Sequence, residues 1–71
     1  MKVDVIVERA GDNWCAYAPD LADVVVATGA TREETIGRFR EALRGLMEYK
    51  RDEGQPMPDV TELEIRETVA A

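Results

Sequence analysis

Residues 31–54 carry the strongest structural pattern in this 71-residue chain, and the remaining segments must pack against whatever they form. Apolar side chains recur there at spacings of three and four, which is the period of one face of an α-helix. They are Ile36, Phe39, Leu43, Leu46 and Met47. The pattern predicts one long amphipathic helix.

Signals for both ends of this helix flank the apolar pattern. Thr31 with Glu34 three positions later is typical of a capping box, in which the hydroxyl accepts from the Glu34 amide and the carboxylate reaches back. Gly54 suits the left-handed position just beyond a helix end, and Pro56 and Pro58 prevent the helix from continuing. The sequence therefore predicts where the helix begins and where it ends.

Charged residues on the outer face of the helix predict two ion pairs. Glu34 precedes Arg38 by four residues, and Arg44 precedes Glu48 by four residues. Residues at this spacing are neighbours on a helix surface, so opposite charges there stabilise the helix. This face is expected to lie in solvent.

Short segments outside the helix predict four β-strands, at 2–8, 14–18, 24–27 and 62–69. In the first, Val3, Val5 and Val7 alternate with a second set of residues, as in a strand with one buried face; that set is Lys2, Asp4, Ile6 and Glu8. Residues 10–13 supply a turn, so the first two strands form a hairpin. The third segment is too apolar for its faces to be assigned. In the fourth, Leu63, Ile65 and Val69 alternate with polar residues.

This order of elements, β-β-β-α-β, predicts an α+β fold. Three strands joined as a meander leave the third parallel to the first, and a helix returning across the sheet delivers the fourth parallel to the first. We expect a four-stranded, mainly antiparallel sheet in the spatial order 3-2-1-4, with one helix on one face. Nothing in the chain is left to cover the other face.

The second strand indicates which side chains lie on each face of the sheet. Trp14, Ala16 and Ala18 share one face, and the two small alanines would let the helix approach closely, so this face is expected inside. Cys15 and Tyr17 then lie on the uncovered face with a residue of the first strand. The predicted patch on that face is Ile6, Cys15 and Tyr17. Modest apolar patches of this kind mark interfaces.

Length and composition limit how such a fold can be stabilised. The chain, residues 1–71, makes one small domain, and a domain of this size buries only about 60% of the surface that its unfolded chain exposes. Cys15 is the sole cysteine and there is no histidine, which excludes an internal disulfide and disfavours a Cys/His zinc site. We therefore expect self-association, as a homodimer or homotetramer, with no metal and no cofactor.

The charge of the chain bears on its partners and its location. Fifteen acidic side chains against nine basic ones give a net charge of −6. Nucleic acids favour basic proteins, so direct binding to DNA or RNA is not expected. Charges at Asp4, Glu8 and Arg9 exclude a signal peptide, and no apolar run reaches membrane-spanning length. The sequence predicts a cytoplasmic protein.

Three short stretches carry a family resemblance: WCAYAPDL at 14–21, ATGATREETI at 27–36 and GQPMPD at 54–59. They resemble the HicB-like antitoxin family, which has an aromatic-x-Ala-x-x-Pro-Asp-Leu segment, a Gly-x-Thr-x-Glu-Glu helix start and a Gly-Glu/Gln-Pro-x-Pro exit. The matching residues are Trp14, Ala16, Pro19, Asp20, Leu21, Gly29, Thr31, Glu33, Glu34, Gly54, Gln55, Pro56 and Pro58. The combination spans nearly the whole chain.

This resemblance implies a partial RNase H-like fold and a role in binding and silencing a HicA-type toxin, a small basic ribonuclease. It also implies no catalysis by the chain itself. Two features depart from the family pattern. Ala22-Asp23 stands where many members have Pro-Gly. Full-length antitoxins of the family continue into a DNA-binding segment, whereas this sequence ends at Ala71, so no C-terminal DNA-binding domain is expected.

Two other functions stay open beside the antitoxin interpretation. One is a structural or regulatory homo-oligomer without a toxin partner. The other is a metal-dependent nuclease, because ribonuclease H enzymes hold two metal ions with carboxylates, and Asp4, Glu41 and Glu64 occupy suitable elements. Charged residues at such positions are usually solvated, and fold analogy is weak support for function. Cys15 has no histidine to activate it as a nucleophile. No catalytic, cofactor-binding or metal-binding residue is predicted.

The hairpin and its exit are where a partner is expected to bind. Affinity in an interface usually rests on a few buried apolar or aromatic anchors, and charge steers the encounter. Tyr17 and Leu21 are the candidate anchors, and Asp12, Asp20 and Asp23 supply negative charge for a basic partner. The alternative is that Leu21 fills the core and the aspartates shape turns.

Overall fold

A computed structural model describes residues 2–21, 23–56, 60 and 62–68 of the chain. Its elements are β1 (Lys2–Ala10), β2 (Asn13–Tyr17), β3 (Val26–Gly29), α1 (Arg32–Asp52) and β4 (Glu62–Thr68). The strands form one sheet in the order β3-β2-β1-β4, with β1–β2 and β2–β3 antiparallel and β1–β4 parallel. The predicted α+β fold, strand order and parallel fourth strand are confirmed.

The core lies between the sheet and α1, and the alternation in β1 builds it. Val3, Val5 and Val7 are fully buried, because every second side chain of β1 points to the helix. Phe39 and Leu43 on α1 pack against the same cluster. Small side chains at 16 and 27, paired across β2 and β3, let the helix approach, as the sequence predicts for β2. Trp14, predicted to face inward, is half-buried at the margin of the cluster.

α1 begins and ends where the sequence predicts. The Glu34 N–H donates to Thr31 Oγ1 at 3.1 Å, which satisfies one of the free amides of the first turn. Gly54 has a φ of 67° and its N–H donates to the Arg51 carbonyl, while the Gln55 N–H donates to the Lys50 carbonyl at 2.8 Å. These two bonds form a Schellman motif, which needs a residue in the left-handed conformation at this position. Pro58 lies outside the described residues.

One of the two predicted ion pairs on α1 is confirmed and the other is wrong. Arg38 Nη2 contacts Glu34 Oε1 at 2.7 Å, so the Glu34 carboxylate forms this pair instead of completing the capping box. Arg44 Nη2 contacts Glu41 at 3.0 Å and does not pair with Glu48. Helical side chains lean toward the N-terminus, which brings Arg44 over the preceding turn.

The predicted bounds of β3 are wrong, and those of β2 differ by one residue. The sequence places the third strand at 24–27, but β3 begins at Val26 and extends through Gly29. Its register with β2 pairs Trp14 with Gly29 and Tyr17 with Val26. This pairing places the inward-facing residues of the two strands opposite each other. Because the pairing ends at Val26, residues 24 and 25 belong to the connection. Ala22, also in that connection, lies outside the described residues.

A close approach between β3 and α1 explains why Gly29 belongs in the strand. A Cβ atom on Gly29 would lie 2.6 Å from Thr35 Oγ1, which is too short for any real contact. Thr35 is fully buried, and its hydroxyl donates to the Thr31 carbonyl at 2.7 Å. Its inward position was missed, because the apolar pattern does not count threonine. The first turn of α1 thus packs directly on the end of β3.

α1 covers less of the sheet than the sequence predicts. Among the described residues its backbone lies close to β3, β2 and β1, whereas it meets β4 through a side-chain ion pair, Arg32 with Glu67 at 3.4 Å. Leu63 and Ile65 of β4 face the helix side of the sheet, where they pair with Val3 and Val5, yet both stay only half-buried. Val69 lies outside the described residues. Within the described residues, β4 is therefore the least covered strand on the helix side of the sheet.

Candidate partner-binding site

A tight turn follows β2 and starts the connection to β3. The Leu21 N–H donates to the Ala18 carbonyl at 3.3 Å, which closes a four-residue turn with Pro19 at its second position. Proline suits this position because its ring fixes φ and it has no amide to donate to a ladder. The turn ends β2 and redirects the chain toward β3.

This turn and the start of β3 enclose an open groove of about 280 Å³. Most of the side chains that form it are apolar. They are Tyr17, Ala18, Pro19, Leu21, Asp23, Val24, Val25 and Val26. Three of the five residues predicted to bind a partner, Tyr17, Leu21 and Asp23, therefore line one groove, and Asp20 lies in the turn at its edge and is exposed.

The apolar surface open to a partner in this groove comes from valines that the sequence pattern did not distinguish. Val24 is 91% exposed and Val26 is 57% exposed, whereas Val25 between them is buried. Leu21 is half-buried and packs against the core, as the simpler interpretation of that residue expects. Three consecutive valines give no alternation from which to predict the exposed ones. Only the register of β3 identifies Val24 and Val26 as the valines that face solvent.

Tyr17 lies on the uncovered face of the sheet with the rest of the predicted patch. It pairs with Ile6 on one side and with Val26 on the other, and Cys15 is half-buried on the same face. Its hydroxyl donates to Glu8 Oε1 at 3.1 Å. This bond to a carboxylate, aided by partial desolvation, raises the pKa of Tyr17 above its ordinary value of 10.0. The ring is thus fixed at the margin of the groove.

Asp23 is tied to the helix. Its carboxylate Oδ2 lies 3.0 Å from Lys50 Nζ, and the Lys50 side chain is only 15% exposed. Removing the carboxylate would leave a poorly solvated cation without its partner, so this pair also holds the connection in place. Asp23 therefore has a structural contact, whereas Asp20 in the exposed turn lies free of the helix.

Asp12 does not join the other four predicted residues. It follows Gly11, whose φ of 61° forms the β1–β2 turn. β2 has five residues, so at about 3.4 Å per residue this turn lies more than about 15 Å from the groove. Since a strand carries its two ends apart, the structure groups Tyr17, Asp20, Leu21 and Asp23 and leaves Asp12 at the opposite end.

The carboxylates of the nuclease alternative also do not converge. Asp4 and Glu64 are paired across β1 and β4 on the uncovered face, where Arg66 contacts both, at 3.1 and 3.3 Å. The hydrogen bond that Arg66 donates to Asp4, with the charge of both carboxylates, raises the pKa of Arg66. Glu41 lies on α1, across the sheet from them, and pairs with Arg44. Within 2–21, 23–56, 60 and 62–68, no three acidic or cysteine side chains are grouped as metal ligands.

The described part of the chain contains no helix that is both long enough and apolar enough to cross a membrane. Comparison of the chain with protein-family models, with curated proteins and with solved structures gave no match. The candidate site is therefore characterised by its own geometry.

Proposed function

We propose that this chain is a non-enzymatic protein-interaction module that binds and occludes a small basic ribonuclease of the HicA type, as a HicB-like antitoxin would. The observation that carries the proposal is the groove at the β2–β3 connection, with exposed valines inside it and an exposed aspartate at its edge. Apolar anchors beside negative charge suit a partner whose own surface is built to hold RNA phosphates.

Charge favours the encounter with such a partner. The chain carries a net charge of −6, and a ribonuclease must present a positive surface to RNA. Opposite potentials raise association rates and make them sensitive to salt. An acidic protein that reaches the RNA-binding surface first would compete with RNA for it, and inhibition needs no chemistry by the chain itself.

Contact area in the groove would supply the affinity. Val24 and Val26 expose apolar surface, and Tyr17 holds its ring beside them through its bond to Glu8. Burying one exposed valine side chain contributes about 1.5–3 kcal/mol when it is fully removed from water. We assign the anchoring role chiefly to Val24, because it is the most exposed valine of the groove and so contributes little to the fold.

The test is binding to a HicA-type ribonuclease encoded beside the gene for this chain, measured by calorimetry and by inhibition of RNA cleavage. Asp20→Lys reverses a charge at the groove, and Asp12→Lys makes the same change in an exposed turn at the far end of β2. We expect Asp20→Lys to weaken binding by about tenfold, or roughly 1.4 kcal/mol, and to flatten its salt dependence. Asp12→Lys should have a much smaller effect.

Asp23→Lys is a poor probe, since it would place two lysines together at Lys50 and disturb folding. Val24→Asp serves as the apolar counterpart, because the side chain is exposed and the fold should tolerate it. Equal effects of Asp20→Lys and Asp12→Lys, or unchanged binding by Val24→Asp, would show that the partner binds elsewhere. The absence of any such ribonuclease among the neighbouring genes would contradict the antitoxin role itself.

A homo-oligomer without a toxin is the second candidate function. It is favoured by a separate observation, the sparsely covered strand β4 at one edge of the sheet. The two candidates do not exclude each other, because the groove and β4 lie at opposite sides of the sheet. A metal-dependent nuclease has no comparable support, since Asp4, Glu41 and Glu64 lie on two sides of the sheet.

A further inference from the structure

The two edges of the sheet are not equally exposed to pairing. β3 has four residues, its inner side is packed under α1, and Arg38 Nη1 donates to the Thr28 carbonyl at 3.0 Å. β4 has seven residues and, within the part of the chain that the structure describes, pairs with β1 alone. A strand of this length with a free edge offers a row of backbone donors and acceptors to another chain. Of the two edges, β4 is the better template.

The side chains of β4 also lack cover. Leu63 and Ile65 face the helix side of the sheet but remain half-buried, because α1 lies over the other three strands. A second element alongside β4 would remove part of this apolar surface from water, which favours association. A single domain of this size has few other ways to add buried area.

We propose that β4 pairs antiparallel with β4 of a second copy of this chain, about a two-fold axis at Ile65, so that one sheet runs through both copies. Ile65 then lies opposite Ile65 of the second copy. Glu64 lies opposite Arg66 of the second copy, and the symmetry repeats this pair on the other side of the axis. An isologous interface requires such self-complementarity.

The charge pattern selects this register over its neighbours. Shifting the axis to residue 64 would place Glu64 against itself, and shifting it to residue 66 would place Arg66 against itself. Like charges directly opposite each other in a ladder destabilise the pairing, whereas opposite charges stabilise it by about 0.2–1 kcal/mol per pair. Two further glutamates of β4 lie opposite uncharged residues in this register. Glu67 lies opposite Leu63 and contacts Arg32 at 3.4 Å, and Glu62 lies opposite Thr68.

Cross-linking tests the register. In a Cys15→Ala background, Ile65→Cys places two thiols opposite each other across the axis, within reach of a disulfide. Leu63→Cys is the matched control, because it changes a half-buried residue on the same face of β4, but its symmetry mate would lie about four residues away, roughly 13 Å. Under mild oxidation we expect a covalent dimer from Ile65→Cys and very little from Leu63→Cys.

Charge reversal tests the same pairing without a covalent bond. Arg66→Glu should weaken the dimer by about tenfold or more in sedimentation experiments, because it opposes two glutamates on each side of the axis. The double variant Glu64→Arg/Arg66→Glu exchanges the two charges and should restore much of the lost association. Both variants lose the Asp4–Arg66 pair, so circular dichroism of each monitors the fold separately.

Several results would overturn the proposal: a monomer from micromolar to millimolar concentration, equal cross-linking of the two cysteine variants, or a double variant no better than Arg66→Glu. A dimer formed by the β3 edge or by the uncovered face would give association without a cross-link at position 65. These measurements need no ribonuclease, so their outcome is independent of the antitoxin proposal.

Discussion

The two outer strands of the sheet, β3 and β4, differ in what surrounds them. β3 is short, packs under α1 closely enough to require Gly29, and has Arg38 at its edge. β4 is longer, is not packed directly under α1, and keeps Leu63 and Ile65 half-buried. Among the described residues, the β3 edge is covered by α1 and Arg38, whereas the β4 edge is not covered.

Simple dimensions explain this asymmetry. A helix with its side chains is about 10 Å wide, whereas the axes of four adjacent strands span roughly 14 Å. One helix therefore cannot cover all four strands, and the connection from β3 fixes the start of α1 on that side of the sheet. The strand farthest from it, β4, is left with a partly exposed inner face.

The largest effect is expected when a leucine buried under α1 and a leucine of β4 are each replaced by alanine. Leu43→Ala empties a buried position under α1 and should lower the free energy of unfolding by about 2–5 kcal/mol. Leu63→Ala makes the same chemical change in β4 and should cost clearly less, because its site is half open. Urea denaturation of both variants measures the difference.

Strand propensity acts against the expected order, because alanine is a poor strand former and a good helix former. If Leu63→Ala still costs less than Leu43→Ala, the measured difference in unfolding free energy therefore underestimates the effect of burial. Equal losses, measured at a concentration where the chain is monomeric, would mean that β4 is as well covered as β3.

Gly29→Ala tests the close approach on the β3 side. The added methyl group would meet Thr35 Oγ1 and should destabilise the fold by about 1–3 kcal/mol as the helix start shifts. Gly37→Ala is the matched control, since the same added atom there would meet open space within an exposed part of α1. Alanine should stabilise that position by up to about 1 kcal/mol.

Opposite signs for the two glycine substitutions, read from thermal or urea unfolding, would confirm that the constraint is local to the β3–α1 contact. A neutral Gly29→Ala would mean that the first turn of α1 moves away from β3 at little cost.

The smallest expected effect concerns the edge of β3. Arg38→Ala removes the donor to the Thr28 carbonyl and the ion pair with Glu34, which are both exposed, so the loss should be about 0.5–1 kcal/mol. Arg40→Ala, an exposed arginine on the same helix, should change stability by less. If the two variants are indistinguishable in urea unfolding, Arg38 does not protect that edge.

Local patterns in the sequence predict much of the fold. The spacing of Phe39 and Leu43, the cap at Thr31 and the left-handed turn at Gly54 place the helix, since each depends on residues close together in the chain. Alternation in β1 and β4 gives the inner face of the sheet. The strand order follows from the sequence of elements and the direction in which each one must return.

Two kinds of detail could not be read from the sequence. The bounds of β3 depend on its register with β2, which is a pairing between separate segments. The partner of Arg44 is local, but it depends on the direction of the side chain, which residue spacing alone does not give. The predicted site shows the same limit. Tyr17, Asp20 and Leu21 come together because one turn joins them, but Asp12 belongs to the opposite end of β2, and the exposed Val24 was hidden in an apolar run.

The sequence by itself determined which segments are helix and strand and which way α1, β1, β2 and β4 face, because these choices rest on local periodicity and capping. Only the tertiary structure decided how far one helix extends across four strands and which apolar residues remain exposed. That outcome depends on the widths of packed elements and on register, which arise when distant segments meet. The groove beside Val24 and the open edge of β4 are both consequences of that packing.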